Sequence, residues 1–350
     1  MKKCLTSEDV KVAAMRLGFD IVGITNVEPF PRFLKEVKRR RANGTITDEM
    51  ANLYPPMGKV ELFSDPKASM PLARSIIVLG MRYLIDERHE SGTPSDPRGR
   101  ISKDYWRHFY AEIDKRRQLV INFLRENGAE VLDENLVPTK AAVHRSGVGT
   151  YGKNTVIQNE DHGSWMLFRA ISTDLELRPD EEAEPRCGSC QRCIRLCPTK
   201  AIVEPYVVDA SRCLTDILAM PGPIPLELRE MVGDRINSCG HCQEVCPRND
   251  NVQPIKTELD DPFGPWTKSP RLLDLVNLTR EEFDRHFHDM EWNVDDHRLL
   301  IRNALVALGN VGDVSVVPAI QRFIDGDDVM LAEHAAWAKD NILRRKEVEE

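Results

Sequence analysis

The chain is 350 residues long, with 48 Lys and Arg against 56 Asp and Glu, a formal charge of −8. That length exceeds what one hydrophobic core usually organises, so two or three domains are expected. A hydrophobic fraction of 41% excludes a wholly disordered chain, and the acidity argues against a general nucleic-acid binder while leaving a local basic face open.

The N-terminal stretch MKKCLTSEDVKVAAM has two lysines, but Ser7, Glu8, Asp9 and Lys11 interrupt any apolar core, so it does not read as a secretory signal. Arg39-Arg40-Arg41 lies too deep for a twin-arginine export signal. No run of about 18 apolar residues occurs, so no membrane span is expected and the protein is placed in the cytoplasm. Residues 6–17 read as an amphipathic helix behind Thr6 and Ser7, stopped by Gly18. FDIVGIT (19–25) and RSIIVLGMRYLI (74–85) read as strands. A charged helical stretch from about 102 to 126 ends at Asn127-Gly128, AEVLDENLVP follows as strand and loop, and a helix covers roughly 138–146. WMLFRAIST (165–173) reads as another strand. This alternation predicts an α/β layer structure for an N-terminal domain over residues 1–180.

Residues 176–186 are charged and Pro-containing and read as a linker into a cysteine-bearing domain at 181–255. From about 270 to 350 the pattern is helical, with Leu299, Leu300, Ala304, Leu305 and Leu308 on one face and Gly309, Gly312 and Gly326 as punctuation. Short helices of this kind fit HEAT-type repeats or a small bundle. The overall class is α+β/α/β multidomain.

Nine cysteines are present, and eight of them fall between Cys187 and Cys246. Without an export signal, such a cluster points to metal rather than disulfides. CGSCQRCIRLCP is the C-x2-C-x2-C-x3-C-P run of bacterial iron–sulfur proteins, and Cys239, Cys242 and Cys246 repeat its ending. Zinc would also use C-x2-C pairs, but it gives no reason for the C-x3-C-P endings. In such a run the fourth cysteine ligates the other cluster. Two [4Fe–4S] clusters are therefore expected, one on Cys187, Cys190, Cys193 and Cys246, the other on Cys197, Cys213, Cys239 and Cys242. Cys4 is left over as an idle thiol. His286 and His288 read as surface or packing histidines.

The chain resembles the epoxyqueuosine reductase family through DPKASMPLARSIIVLGMRY, RGRISKDYWRHFY, SGVGTYGKNT, HGSW, the segment from CGSCQRC to the second cysteine group, and RNALVALGN. The resemblance implies a cytoplasmic, cobalamin- and iron–sulfur-dependent reductase of queuosine synthesis. Its N-terminal domain would hold the corrinoid in a fold shared with reductive dehalogenases, a ferredoxin-like module would feed it electrons from a low-potential donor, and a helical repeat would help grip tRNA. Gly147, Gly149, Gly152, Lys153 and Asn154 match the family's glycine-rich motif. The glycines would admit a bulky ring, and Lys153 would donate to its amide or phosphate groups. Tyr105, Gly240 and His241 complete the expected cofactor contacts.

Asp133 stands where the family has its catalytic aspartate. The neighbouring D-x-x-P-V-x-E-[RK] pattern departs at Leu136 and Thr139, an alternative register puts Asn135 there, and Tyr151, Tyr105 and His144 are other acids in reach. Residues 271–350 carry 10 Lys and Arg against 17 Asp and Glu, a balance of −7 that suits tRNA poorly. Basic stretches lie instead at Arg32 to Arg41 and Arg98 to Arg117. A related small-molecule reductase, such as a reductive dehalogenase, and a non-catalytic electron carrier stay open as alternatives.

Overall fold

Four strands form the main sheet in the order Ile21–Thr25, Ser75–Arg82, Met166–Thr173, Val131–Leu132, and every pairing is antiparallel. The computed structural model describes residues 5–133, 136–260, 266, 268–287 and 295–349. Cys4, Asn135 and His288 lie outside them.

The two central strands explain the layering. Ile77, Leu79 and Ile171 pack into one core with Val10 and Ala14 of helix Ser7–Arg16 and with Ile113, Val120 and Leu124 of helix Phe109–Glu126. Ile76, Val78 and Ala170 point the other way, onto Ala142 and Val143 of helix Thr139–Arg145 and onto Val27 and Phe30. A strand covered on both faces has no polar side to alternate with, so SIIVLGM runs apolar without a break. The expected α/β layers are present, built on an antiparallel sheet. Thr6 caps the first helix through a reciprocal box with Asp9. The helix expected from 102 begins only at Phe109, after a separate 3-10 turn at Lys103–Tyr105.

The expected linker is not one. Leu177 is buried, the amide of Asp180 donates to the Ile24 carbonyl at 2.8 Å, and the Asp180 carboxylate accepts from the Ile24 amide at 2.8 Å. Lys11 adds an ion pair to Asp180, and the Ala183 amide donates to the His144 carbonyl at 3.1 Å. Charge and proline suggested a free tether, but the backbone of the neighbouring edge strand needs hydrogen-bond partners, and this segment supplies them.

The cysteine segment is mounted on both its neighbours. Strand Arg235–Asn237 pairs in parallel with Arg100–Ile101. On the other side lies helix Arg298–Val311, in which every residue from Leu299 to Gly309 is buried. The single apolar face expected there is too narrow, because Arg302 and Asn303 are buried as well. Arg302 donates to the carbonyls of Ile217 (3.2 Å), Leu218 (3.1 Å), Met220 (2.8 Å) and Gly222, at the end of helix Leu214–Ala219. Asn303 donates to the carbonyls of Leu218 and Ile236, each at 2.9 Å. Helix-terminal carbonyls lack intrahelical partners and carry partial negative charge, which is what a buried guanidinium requires. Burial pulls the Arg302 pKa down to about 9, which leaves it cationic at neutral pH. Helices Val317–Ile324 and Val329–Glu349 complete this C-terminal unit. No helix among the described residues is long and apolar enough to cross a membrane.

Two predictions follow from this interface. Arg302→Met should lose at least ~3 kcal/mol in urea unfolding, because several buried carbonyls lose their donor. His334 on the last helix accepts from the Ile224 amide at 3.0 Å and is neutral, with burial pulling its pKa down to about 4. An unfolded imidazole takes its proton near pH 6.5, so this contribution is complete above that pH and is lost as pH falls through 4. Thermal midpoints measured against pH should decline less steeply over that window in His334→Gln than in the unaltered chain.

Candidate metal centre and adjoining cleft

All eight cysteines from Cys187 to Cys246 are free thiols, and they fall into two neighbourhoods. Gln158 marks the first: its amide nitrogen donates to Cys246 Sγ at 3.3 Å, and its oxygen accepts from Cys187 Sγ at 3.8 Å. Burial pushes the Cys193 thiol up, and the neighbouring Cys187, Cys246 and Cys190 push it further. Burial likewise raises Cys246, with Cys187 and Cys190 adding to it. In the second neighbourhood burial raises Cys213, reinforced by Asp216 and Cys242, and raises Cys239, reinforced by Cys197. Cys242 is pushed up to about 12, by burial first and then by Cys239, with Cys193 and Cys197 also contributing. Cys246 thus sits with Cys187, Cys190 and Cys193, although it is 53 positions beyond the last of them. Among the described residues, no three His, Cys, Asp or Glu gather as they would around one ion. Thiolates that each cap a separate iron of a cluster stand farther apart than those sharing a single zinc.

The glycine-rich turn serves these thiols rather than an open pocket. Lys153 is buried; its Nζ donates to the carbonyls of Gly188 (2.7 Å) and Cys190 (2.9 Å), and its amide donates to Cys187 Sγ at 3.4 Å. Two of the three ammonium donors are thus spent on the first thiol loop. Asn154 donates to the Cys242 carbonyl at 3.3 Å. The glycines also act internally. A Cβ would meet Glu181 O at 2.4 Å from Gly147, Ile157 Cγ2 at 2.8 Å from Gly149 and Asn154 Oδ1 at 2.5 Å from Gly152. They permit protein to pack on protein.

Gly240 is different. Its φ is +67°, and a Cβ there would meet only Ser102 Oγ, at 3.6 Å. With Cys239 it lines a cavity of about 210 Å³ walled by Trp106 and Trp165, with Lys103 Nζ 5.2 Å from the Trp165 ring centre. His241 lies beside Glu244 at 3.8 Å. Lys140 is reached by solvent, yet desolvation lowers its pKa against the pull of Asp216, Cys242 and Cys213. Burial also raises Tyr151, whose ring meets His144 edge-on at 5.8 Å. His144 is itself held by Glu182 at 2.9 Å.

Two expected residues stand elsewhere. Tyr105 packs on Tyr110, with ring centres 5.0 Å apart. Asp133 is half-exposed and lies 3.7 Å from Arg117 and 3.6 Å from Arg125. Its neighbour Leu132 pairs with Ser172, seven residues along the strand from Trp165 at the cavity wall, or roughly 20 Å. In this conformation Asp133 is outside the cavity. The basic run is also largely spent at home: Glu36 pairs with Arg39 and Arg40, and Asp48 with Arg41.

Residues 186–249 match the 4Fe-4S double cluster binding domain, so the cysteine segment is a two-cluster module. An epoxyqueuosine reductase from Staphylococcus aureus is 27% identical over 348 residues, covering 96% of this chain and 88% of that one. The chain is thus similar to epoxyqueuosine reductases over nearly its whole length. A Bacillus subtilis epoxyqueuosine reductase, solved with its catalytic aspartate loop swung out of the active site, superposes with a TM-score of 0.87 at 25% identity, covering 98% of this chain and 92% of that one. Another epoxyqueuosine reductase, solved with an epoxyqueuosine-modified tRNA stem loop, superposes with a TM-score of 0.86 at 25% identity, covering 98% and 92%.

Sequence reasoning missed Gln158, Lys140 and Asp104. Asp104 is a carboxyl whose pKa is raised by burial and which accepts from Tyr110 at 2.8 Å. A glutamine in a short hairpin gives no periodic or motif signal; Lys140 had one, as the basic end of the family's aspartate pattern. Anaerobic reconstitution with iron and sulfide should load about eight irons per chain. Cys246→Ala should lose the cluster built on Cys187, Cys190 and Cys193. Gln158→Leu should keep both clusters and lower the potential of one in a redox titration, since a hydrogen bond to a ligating sulfur stabilises the reduced state.

Proposed function

We propose that this chain reduces epoxyqueuosine in tRNA, using cobalamin and two [4Fe–4S] clusters. The observation that carries the reading is the junction of the second thiol set with a cleft, at Cys239-Gly240, in a chain homologous to epoxyqueuosine reductases almost from end to end. Gly240 leaves room for a flat ring, because only Ser102 Oγ stands within 4 Å of where its Cβ would lie. When bound, cobalamin supplies a strongly reducing cobalt centre, for which a thiolate-ligated cluster is a donor of suitably low potential.

The reaction consumes two electrons and two protons, converting the epoxide to an alkene and releasing its oxygen as water. The protein's part would be to hold the ring near Gly240 and to deliver a proton. Asp133 is the proposed donor. Its loop has to leave Arg117 and Arg125 and swing inward, and a relative has been captured with its own aspartate loop swung out. The proposed ligand sets are those expected from the cysteine run, and Gln158 touching both Cys187 and Cys246 supports them. Functional units at 1–180, 181–255 and 270–350, HEAT-like character for the last, and a cytoplasmic location with a low-potential donor complete the reading.

tRNA as the substrate rests on the relative bound to a stem loop. The acidic tail and the paired Arg39–Arg41 imply that binding is weak and salt-sensitive. Corrinoid binding to the cluster-loaded protein, followed spectroscopically, is the first test; no binding would leave only the electron-carrier alternative. Asp133→Asn should lower single-turnover epoxide reduction by about 10²–10⁴-fold, with corrinoid and stem-loop affinities unchanged.

A further inference from the structure

We infer that the surface around Cys190 and helix Arg192–Leu196 is the docking site for a small, acidic, low-potential electron-transfer protein. The inference rests on the two-cluster reading above and adds where electrons enter. Of the eight cysteines, Cys190 alone is exposed; Cys246 is buried and the other six are intermediate. The second thiol set adjoins the cleft; the first reaches the outside. An electron from a protein donor therefore arrives at the first set and passes to the second, which adjoins the cavity at Cys239-Gly240.

The surface there has the character of an interface. Helix Arg192–Leu196 buries none of its residues, and Gly188, Ser189, Cys190, Gln191 and Arg192 are all exposed. Leu196 and Val203 stand out as exposed apolar side chains, 47% and 54% accessible. Between positions 185 and 203 the chain carries Arg192, Arg195 and Lys200, together with Arg186, which pairs with Glu160, and no Asp or Glu, in a protein whose net charge is −8. Many exposed arginines elsewhere are neutralised locally, as in Arg280–Asp284, Arg285–Glu281 and Arg298–Asp296, while Arg16, Arg32 and Arg178 stand singly rather than in a cluster. Arg192, Arg195 and Lys200 have no carboxylate partner among the described residues. Unpaired cations around a small apolar centre suit an acidic protein, whose approach they would steer. An RNA would use the cations but leave the exposed ligand and the apolar pair without a role. Each encounter oxidises the donor by one electron and reduces the first cluster by one; two encounters supply one turnover.

The test uses the full chain with both clusters reconstituted, and reduced flavodoxin as the acidic one-electron donor. Stopped-flow bleaching of the clusters should show a second-order rate constant at least about tenfold lower in Arg192→Glu/Arg195→Glu at low salt. The unaltered chain should slow toward the variant as salt rises. Reduction by dithionite, iron content and tRNA stem-loop affinity should not change. Arg192→Gln/Arg195→Gln, a milder change, should fall between the two and covers a failure of the charge reversal to fold. An unchanged flavodoxin rate in the folded variants overturns the proposal. So does a loss of stem-loop affinity at an unchanged donor rate, which would make the surface an RNA contact. A wild-type chain whose iron dithionite cannot reduce would instead overturn the two-cluster reading itself.

Discussion

The governing constraint is electrostatic: eight thiols have to meet in two adjoining sets, inside protein, as anions. Burial and mutual repulsion push them toward the neutral form, as the raised Cys193, Cys213, Cys239, Cys242 and Cys246 record. Iron removes that penalty by replacing protons, so cluster assembly and folding of this segment are coupled. The loops that carry the thiols are short and have little core of their own. Their geometry has to be imposed from outside.

Both flanking units impose it, by different chemistry. From the N-terminal side, Lys153 fastens the carbonyls of the first thiol loop, Asn154 the carbonyl of Cys242, and Gln158 spans two sulfurs. From the C-terminal side, Arg302 and Asn303 hold a carbonyl in the last turn of the helix beginning after Cys213, and Asn303 holds the strand that leads to Cys239. The C-terminal helices thereby act as a brace for the metal module, whatever else they bind.

What the sequence revealed follows from how local each feature is. The central strands were legible because SIIVLGM and WMLFRAIST are long apolar runs, and the cysteine spacing was legible because metal chemistry restricts it tightly. The partnership of Cys246 with Cys187 was also readable, through the rule of the fourth cysteine. The linker at 176–186 was misread because its partner, Ile24, is a backbone group more than 150 residues away. The packing of the glycine-rich turn was not legible: its glycines face Glu181, Ile157 and Asn154, and composition does not name such neighbours.

The docked 176–186 segment and the strand pair Arg235–Asn237 with Arg100–Ile101 have a kinetic consequence. Electron tunnelling falls off exponentially with separation, so a module that rocked on a tether would deliver current in bursts. Fastened at both ends, this one keeps a constant gap between its inner thiol set and the cleft. Its rigidity also limits how far the surroundings must rearrange when charge arrives, and this makes each transfer cheap.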